Sequence, residues 1–354
     1  MKIAILNDTH CGIRNSSDIF MEYQEAFYRD VFFPYCIEND IKHILHLGDY
    51  YDNRKTINFK ALQHNRKIFL EPLRKNGMTM DIIIGNHDMY YKNTTELNAL
   101  KELQGHYMNE VNLILEPKVM KYDSLKIGLV PWICESNEKQ CMEFIQNCKA
   151  DIIGAHLELI GFDMHRGMPC LNGMSPNLFD RFEMVLTGHF HAKSTSGNIH
   201  YLGSQMEFFW NDCNDKKYFH VLDTETRELE AIHNPITIYE KIYYDHEKMG
   251  KYQFKDMRYL DNKFVKVIVV NKGDPYEFEK FIDRISMQKI HELKIQEDFK
   301  EFIGENVGDD KISLDDTQTI VYNYIDAVST DLDKGRIKKE VSALMKEAES
   351  LEIM

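Results

Sequence analysis

At 354 residues, with 43% hydrophobic and 28% charged side chains, the chain has enough apolar content for one sizeable core and a smaller module. A formal net charge of −14 excludes adhesion to nucleic acid through a chain-wide basic field, though not binding through metal ions or a local basic strip. No secretory leader or membrane-spanning apolar run is found, and seven scattered cysteines without paired CxxC spacing read as reduced thiols of a cytoplasmic protein.

In chain order, the first two thirds repeat one pattern: a short aliphatic run, a polar cluster, then a helical stretch. The runs at 3–6, 44–47, 82–84, 127–130, 152–153 and 185–186 are short and apolar, as strands buried on both faces are. Five polar clusters stand at their ends: Asp8-Thr9-His10, Gly48-Asp49-Tyr50-Tyr51-Asp52, Gly85-Asn86-His87-Asp88, Gly154-Ala155-His156 and Gly188-His189-Phe190-His191. In α/β folds, loops from several strand ends converge, so clusters far apart in sequence are expected at one place. Between the second and third clusters, residues 59–75 predict a helix that stops at Asn76-Gly77 and covers the sheet with Leu62, Ile68, Phe69 and Leu73.

A turn is predicted at 223–227, and a second module begins near Ile238 with a strand at 264–270, a helix at 276–287 and an alternating strand at 290–295. Residues 304–316 read as a flexible acidic linker. Beyond it, Val321, Tyr324, Ile325 and Val328, then Ile337, Val341, Leu344, Ala348 and Leu351, form apolar stripes on two charged helices. A partner surface is expected to cover them, with packing back on the same chain as the alternative.

Each cluster alone is weak, because a lone histidine is more often a hydrogen-bonded structural residue than a ligand. Five in order, each at a strand end, supply hard oxygen and imidazole donors, with Asp49 able to bridge. That is what two divalent ions sharing one site require. Cys11, beside His10, reads as a packing residue, since hard-metal sites need no thiolate.

The ordered clusters resemble the calcineurin-like metallophosphoesterase superfamily, whose pattern runs DxH, GDxxD, GNH(D/E), GH and GHxH. The resemblance implies one ion held by Asp8, His10, Asp49 and His191, and a second held by Asp49, Asn86, His156 and His189, with the attacking water between them. His87 is then the group that contacts the phosphate and protonates the leaving oxygen. Asp88 is expected to orient its ring, with capping of the following helix as a competing role. Protein phosphatases carry GDxxDRG and GNHE, whereas this chain has Asp52-Asn53-Arg54 and Gly85-Asn86-His87-Asp88, which counts against that branch.

A closer similarity is to the nuclease subunit of the SbcCD and meiotic-recombination complexes, above all its phage branch. It is carried by Asp52-Asn53-Arg54-Lys55, Ile84-Gly85-Asn86-His87-Asp88-Met89-Tyr90, Val130-Pro131-Trp132, Ala155-His156-Leu157-Glu158, Arg166-Gly167-Met168 and Tyr201-Leu202-Gly203-Ser204. It implies an α/β fold: a two-sheet sandwich flanked by helices at 1–235, an α+β capping and DNA-binding module at 236–303, the linker at 304–316, and a helix pair at 317–354. It further implies a manganese-dependent exonuclease on duplex ends and endonuclease on single strands. The implied partners are DNA, an SbcC-type ABC ATPase whose coiled-coil base binds the tail helices, and a second copy bound through helices at about 56–74 and 93–103. Arg14, Arg54, Lys55, Lys60, Arg66 and Lys67 are candidates for a phosphate path, although a solvated helix face is the default for the last three.

Two positions depart from the pattern. Asp52 stands where archaeal and eukaryotic members usually have His, and Gln205 where many have Pro. A nucleotide or small-molecule phosphoesterase is the first alternative, for which the module and tail would be superfluous. The second is a non-catalytic DNA-end clamp, which the intact ligand set disfavours.

Overall fold

A computed structural model describes residues 1–104, 107, 109–165, 168–171, 173–251, 256–297, 325, 333–338 and 340–341. The chain divides into two compact units, Met1–Asp298 and Phe299–Met354. The acidic linker and most of the two tail stripes lie outside the described residues. Of the stripes, Ile325 is buried and Ile337 and Val341 are half-buried. Among the described residues no helix is long and apolar enough to cross a membrane, and all seven cysteines are free thiols.

Two six-stranded sheets form the body of the first unit. One contains β1 (Lys2–Leu6), β2 (His43–His46), β3 (Thr79–Ile83) and β4 (Val111–Ile114). The other contains β5 (Lys118–Tyr122), β6 (Leu125–Val130), β7 (Ile152–His156) and β10 (Met184–Gly188). Between β7 and β10 in sequence comes a separate two-stranded ribbon, β8 (Asp163–His165) and β9 (Met168–Pro169). The second sheet is completed by β11 (Ser194–Ser196) and β12 (Ile199–Tyr201), and the first by β13 (Lys217–Asp223) and β14 (Leu229–Asn234). The orders are β14-β13-β1-β2-β3-β4 and β11-β12-β10-β7-β6-β5. The interior pairs β1-β2, β2-β3, β6-β7 and β7-β10 are parallel.

Side-chain alternation explains the sandwich. Ile3, Ile5, Leu45, Leu47, Ile83, Ile127, Leu129, Ile152 and Leu186 form the layer between the sheets. Their neighbours Ala4, Leu6, Ile44, Ile82 and Ile84 face the helices of the first sheet. Val130, Ile153 and Val185 do the same on the second. The interior strands thus bury both faces, and each fully buried aliphatic side chain contributes about 1.5–3 kcal/mol.

The helix predicted at 59–75 is present as Phe59–Asn65, a π-turn Arg66–Leu70 and Glu71–Lys75, started by Asn58, whose side chain accepts from the Lys60 N–H. Ile68, Phe69 and Leu73 are buried against the sheet, and Leu62 packs beside them. The helix Asp18–Phe27 runs likewise through a π-turn, Tyr28–Phe32, into Phe33–Glu38. In both, a proline, Pro72 or Pro34, follows the π-turn by two residues. Its missing N–H and its ring's clash with the carbonyl four residues back account for the widened ladder. The second helix expected near 93–103 is shorter, Ala99–Leu103, because Asn98 caps it only there.

The second module begins with β15 (Tyr239–Asp245), followed by β16 (Phe264–Asn271), the helix Pro275–Ser286 and β17 (Glu292–Glu297). The three strands are parallel, and the helix covers one face of the sheet through Phe278, Phe281 and Ile285. Glu207 fastens this module to the body. Buried and 1% exposed, its carboxylate accepts from Ile238 N (2.7 Å) and Tyr239 N (3.0 Å). Burial pushes its pKa up to about 7, against those two backbone bonds, which lower it. The folded chain therefore holds this proton more tightly than the unfolded chain, and stability falls as pH rises from about 4.5 to about 7. Glu207→Gln keeps an acceptor without the charge. Its stability relative to the parent is expected to rise across that window, by up to about 3 kcal/mol, and its melting temperature with it. A pH-independent difference in parallel thermal melts contradicts this.

Candidate metal centre

The five clusters meet where the parallel strands of both sheets end. Convergence is so close that glycine is needed: a Cβ at Gly85 would lie 2.2 Å from the Asp49 backbone N, and one at Gly48 2.8 Å from Gly85 and from Nδ1 of His156. To leave strand geometry within one residue, Asp8, His10, Asp49 and His189 take left-handed backbone conformations, with φ of 48°, 45°, 54° and 89°. Asp tolerates this better than most residues, but the conformation still costs on the order of 1 kcal/mol each.

Asp8, His10 and His191 form one donor group and Asp49, His156 and His189 a second, with ligand atoms in each within 4.8 Å of one another; His10, Asp52 and His87 form a third such set beside them. Asn7 Nδ2 (2.6 Å) and the His189 N–H (3.0 Å) donate to Asp8 Oδ2, which leaves Oδ1 facing Nε2 of His10 and of His191, both at 3.9 Å. Oδ1 of Asp49 accepts the His87 N–H at 2.7 Å. Its Oδ2 stands between the groups, 3.3 Å from Nε2 of His156 and 3.9 Å from Nε2 of His10. Asn86 Oδ1 lies 3.0 Å from both His156 Nε2 and His189 Nδ1.

The donor chemistry fits cations. Nδ1 of His156 donates to the Leu47 carbonyl at 2.7 Å. In the neutral ring Nε2 then presents a lone pair to the oxygens of Asn86 and Asp49, acceptor against acceptor, which only a proton or a cation between them relieves. The field agrees. Burial alone would lower the His156 pKa, yet Asp49 and Asp8 raise it to about 9. His10, equally buried, is carried to about 9 by Asp52, Asp49 and Asp8. Burial opposes ionisation of Asp49, but His156, His87 and His10 hold its pKa well below the carboxylate range. Carboxylate, amide oxygen and imidazole together suit a hard or borderline divalent ion.

Outer partners orient the donor side chains. Asp52 Oδ1 is 3.4 Å from Nδ1 of His10, and Glu158 Oε2 is 3.6 Å from Nε2 of His189, so each ring turns its other nitrogen inward. Neither role was read from sequence: Asp52 closes its motif but what it touches depends on the fold, and a carboxylate two residues past His156, as Glu158 is, carries no signal alone. Gln205 is buried and donates to the Asp8 carbonyl at 3.2 Å, a contact that proline could not make. Phe208 sets its edge against His10 and His191, and Phe209 stacks on His191 at 6.0 Å and 18°.

The expected role of Asp88 needs correction. Its Oδ1 accepts from Tyr50 N and Tyr51 N, both at 3.0 Å, and its Oδ2 from Gly85 N at 2.9 Å. It locks the second and third clusters together. It neither caps a helix nor orients His87, whose Nδ1 instead donates to the Asp52 carbonyl at 2.6 Å. The His87 ring stands edge-on to His10, 4.9 Å between centroids, with Nε2 as the nitrogen not held by that carbonyl. Of the basic candidates, Lys60 pairs with Asp18 and Lys67 with Glu25 on a solvated face. Arg14 lies over Phe209 at 4.8 Å.

The calcineurin-like phosphoesterase family model matches residues 1–193. The chain is 30% identical over 351 residues, 98% of its length and 99% of the relative's, to "Exonuclease subunit 1" of Enterobacteria phage T4. A solved structure described as a novel archaeal phosphodiesterase aligns over 66% of this chain and 100% of its own, at 15% identity and a TM-score of 0.35. Family match, two-sheet sandwich and paired donor groups agree: the chain belongs to the calcineurin-like phosphoesterase family and is a hydrolase of phosphoesters.

Proposed function

We propose that the protein is a DNA nuclease subunit, cleaving phosphodiesters at duplex ends and in single strands, and working in the cytoplasm with an SbcC-type ATPase in recombination and repair. The observation that carries this reading is the similarity over nearly the whole chain, second module included, to a phage protein named as an exonuclease subunit.

Asp8, His10, Asp49 and His191 would hold one divalent ion, and Asp49, Asn86, His156 and His189 the other; manganese is the metal proposed. When bound, such a pair activates water and neutralises charge on the transferring phosphoryl group. Asp49 Oδ2, between the groups, sets their separation. His87 is placed by two bonds, its N–H to Asp49 and its ring Nδ1 to Asp52, so that Nε2 can meet a phosphate oxygen. As the P–O bond to the leaving sugar breaks, that oxygen takes a proton, and a protonated His87 supplies it. Asp88 acts by holding the loops of Asp49 and His87 in register.

The test is digestion of end-labelled duplex and circular single-stranded DNA with Mn²⁺, with and without the ATPase and ATP. Hydrolysis of a small phosphodiester with both DNAs untouched would favour a small-molecule phosphoesterase. DNA binding without hydrolysis of anything would favour an end clamp. For the tail, Val341→Glu is expected to abolish co-purification with the ATPase while leaving the nuclease folded, because it sets a charge in an apolar contact. Unchanged co-purification contradicts the tail assignment.

A further inference from the structure

Four histidines supply the imidazoles of the metal centre, and three have the outer ring nitrogen fixed by a partner. Nδ1 of His10 faces Asp52, Nδ1 of His156 donates to the Leu47 carbonyl, and Nε2 of His189 faces Glu158. His191 differs. Its Nε2 turns inward toward His10 and Asp8, and among the described residues its Nδ1 meets no carboxylate or carbonyl. A metal-binding imidazole without such a partner swings about χ2 unless packing stops it.

Packing stops it here. Phe208 meets the ring edge-on, 5.6 Å between centroids, and Phe209 stacks on it at 6.0 Å. The loop that carries both is held in turn, since the N–H of Phe208 and that of Phe209 donate to Oδ2 of Asp212, at 2.8 and 2.9 Å. Oδ1 of Asp212 accepts from Lys217 Nζ at 2.8 Å. The same ammonium donates to Asp215 Oδ2 at 2.9 Å and, 26 residues back in the chain, to the His191 carbonyl at 2.9 Å. That carbonyl also accepts the Ser204 N–H at 3.0 Å. Lys217 is only 3% exposed, and all three of its donors are used. An apolar side chain would close the turn between Asp212 and β13 at a smaller cost in desolvation. What the ammonium adds is one atom that grips both the backbone carrying the His191 ring and the loop packed around it.

We infer that Lys217 is a positioning residue of the metal centre, which through Asp212 and the His191 carbonyl keeps His191 Nε2 turned toward the first ion, in place of the outer partner that the other three rings have. The inference rests on the ion-pair reading above, and under it the two ions respond differently. The ion proposed at Asp8, His10, Asp49 and His191 depends on Lys217. The ion proposed at Asp49, Asn86, His156 and His189 does not, because its imidazoles are fixed by the Leu47 carbonyl and Glu158.

The experiment titrates the full chain with Mn²⁺ and counts the free ion by electron paramagnetic resonance, in two backgrounds: His156→Ala, which disables the second site, and His191→Ala, which disables the first. Adding Lys217→Met is expected to weaken the remaining ion about 10- to 100-fold in the His156→Ala background, the usual cost of losing an outer partner. In the His191→Ala background it is expected to change nothing, since the ring it positions is already gone. Phe209→Ala, at a side chain 38% exposed, removes the stack and leaves the buried ion pair intact. It is expected to give the same selective loss, at about 10-fold, and keeps the test open if Lys217→Met does not fold, which thermal melts in EDTA will show. Equal weakening in both backgrounds would make this junction a general support of the fold, and no weakening in either would free His191 from it; each overturns the inference. If the parent itself binds no Mn²⁺, the ion-pair reading has failed.

Discussion

Asp49→Ala is expected to abolish metal-dependent cleavage, by at least about 10³-fold. Asp49 Oδ2 lies 3.3 Å from Nε2 of His156 and 3.9 Å from Nε2 of His10, so it faces both donor groups, and its Oδ1 holds the His87 N–H. Removing it takes away the charge that lets two dications approach, whose repulsion at a few ångströms is large even at an effective dielectric of about 20. The same change frees the loop of His87. Asp49→Asn, which keeps the shape, should lose metal affinity nearly as far and so separate charge from packing. Metal stoichiometry by calorimetry beside a cleavage assay is the check. Two ions bound to the Ala variant with parental cleavage would remove the dinuclear assignment.

His87→Ala is expected to retain both ions and lose about 10²- to 10⁴-fold in cleavage. The ring is grouped with His10 and Asp52 rather than with either set of donors proposed for the ion pair, and its Nδ1 is held by the Asp52 carbonyl. Parallel loss of metal and activity would make it part of the ligand scaffold. A substrate with a good leaving group such as p-nitrophenolate needs no proton on departure, so on that substrate the defect should shrink if His87 is the proton donor.

The sequence made the site more legible than the fold around it. Apolar strands that end in Gly, Asp or His mark both a strand and its chemistry, so all seven proposed ligands were named before their neighbours were known. Among the strands that escaped notice, Ser194–Ser196, Lys118–Tyr122 and Leu229–Asn234 are half-polar and lie at sheet edges, where one face meets water and the aliphatic signal fades, whereas Lys217–Asp223 is interior and mostly buried but interrupts its apolar run with Lys, Tyr and His. The role of Asp88 was misjudged because adjacency in sequence suggested contact with His87. The turn instead sends the two side chains apart, one to the backbone of the second cluster and the other to Asp52. Glu158 and Gln205 illustrate a different gap, since a supporting residue is defined by what it touches across the fold.

The left-handed backbone at Asp8, His10, Asp49 and His189 also bears on how this chain can evolve. Glycine would relax each position, so selection for a more stable chain presses toward it, and every such step deletes a proposed ligand. These four sites are therefore closed to thermal improvement for as long as the activity is under selection. Stability gains must accumulate elsewhere, in the half-polar edge strands and the joint at Glu207, and a lineage released from catalysis should lose these residues first.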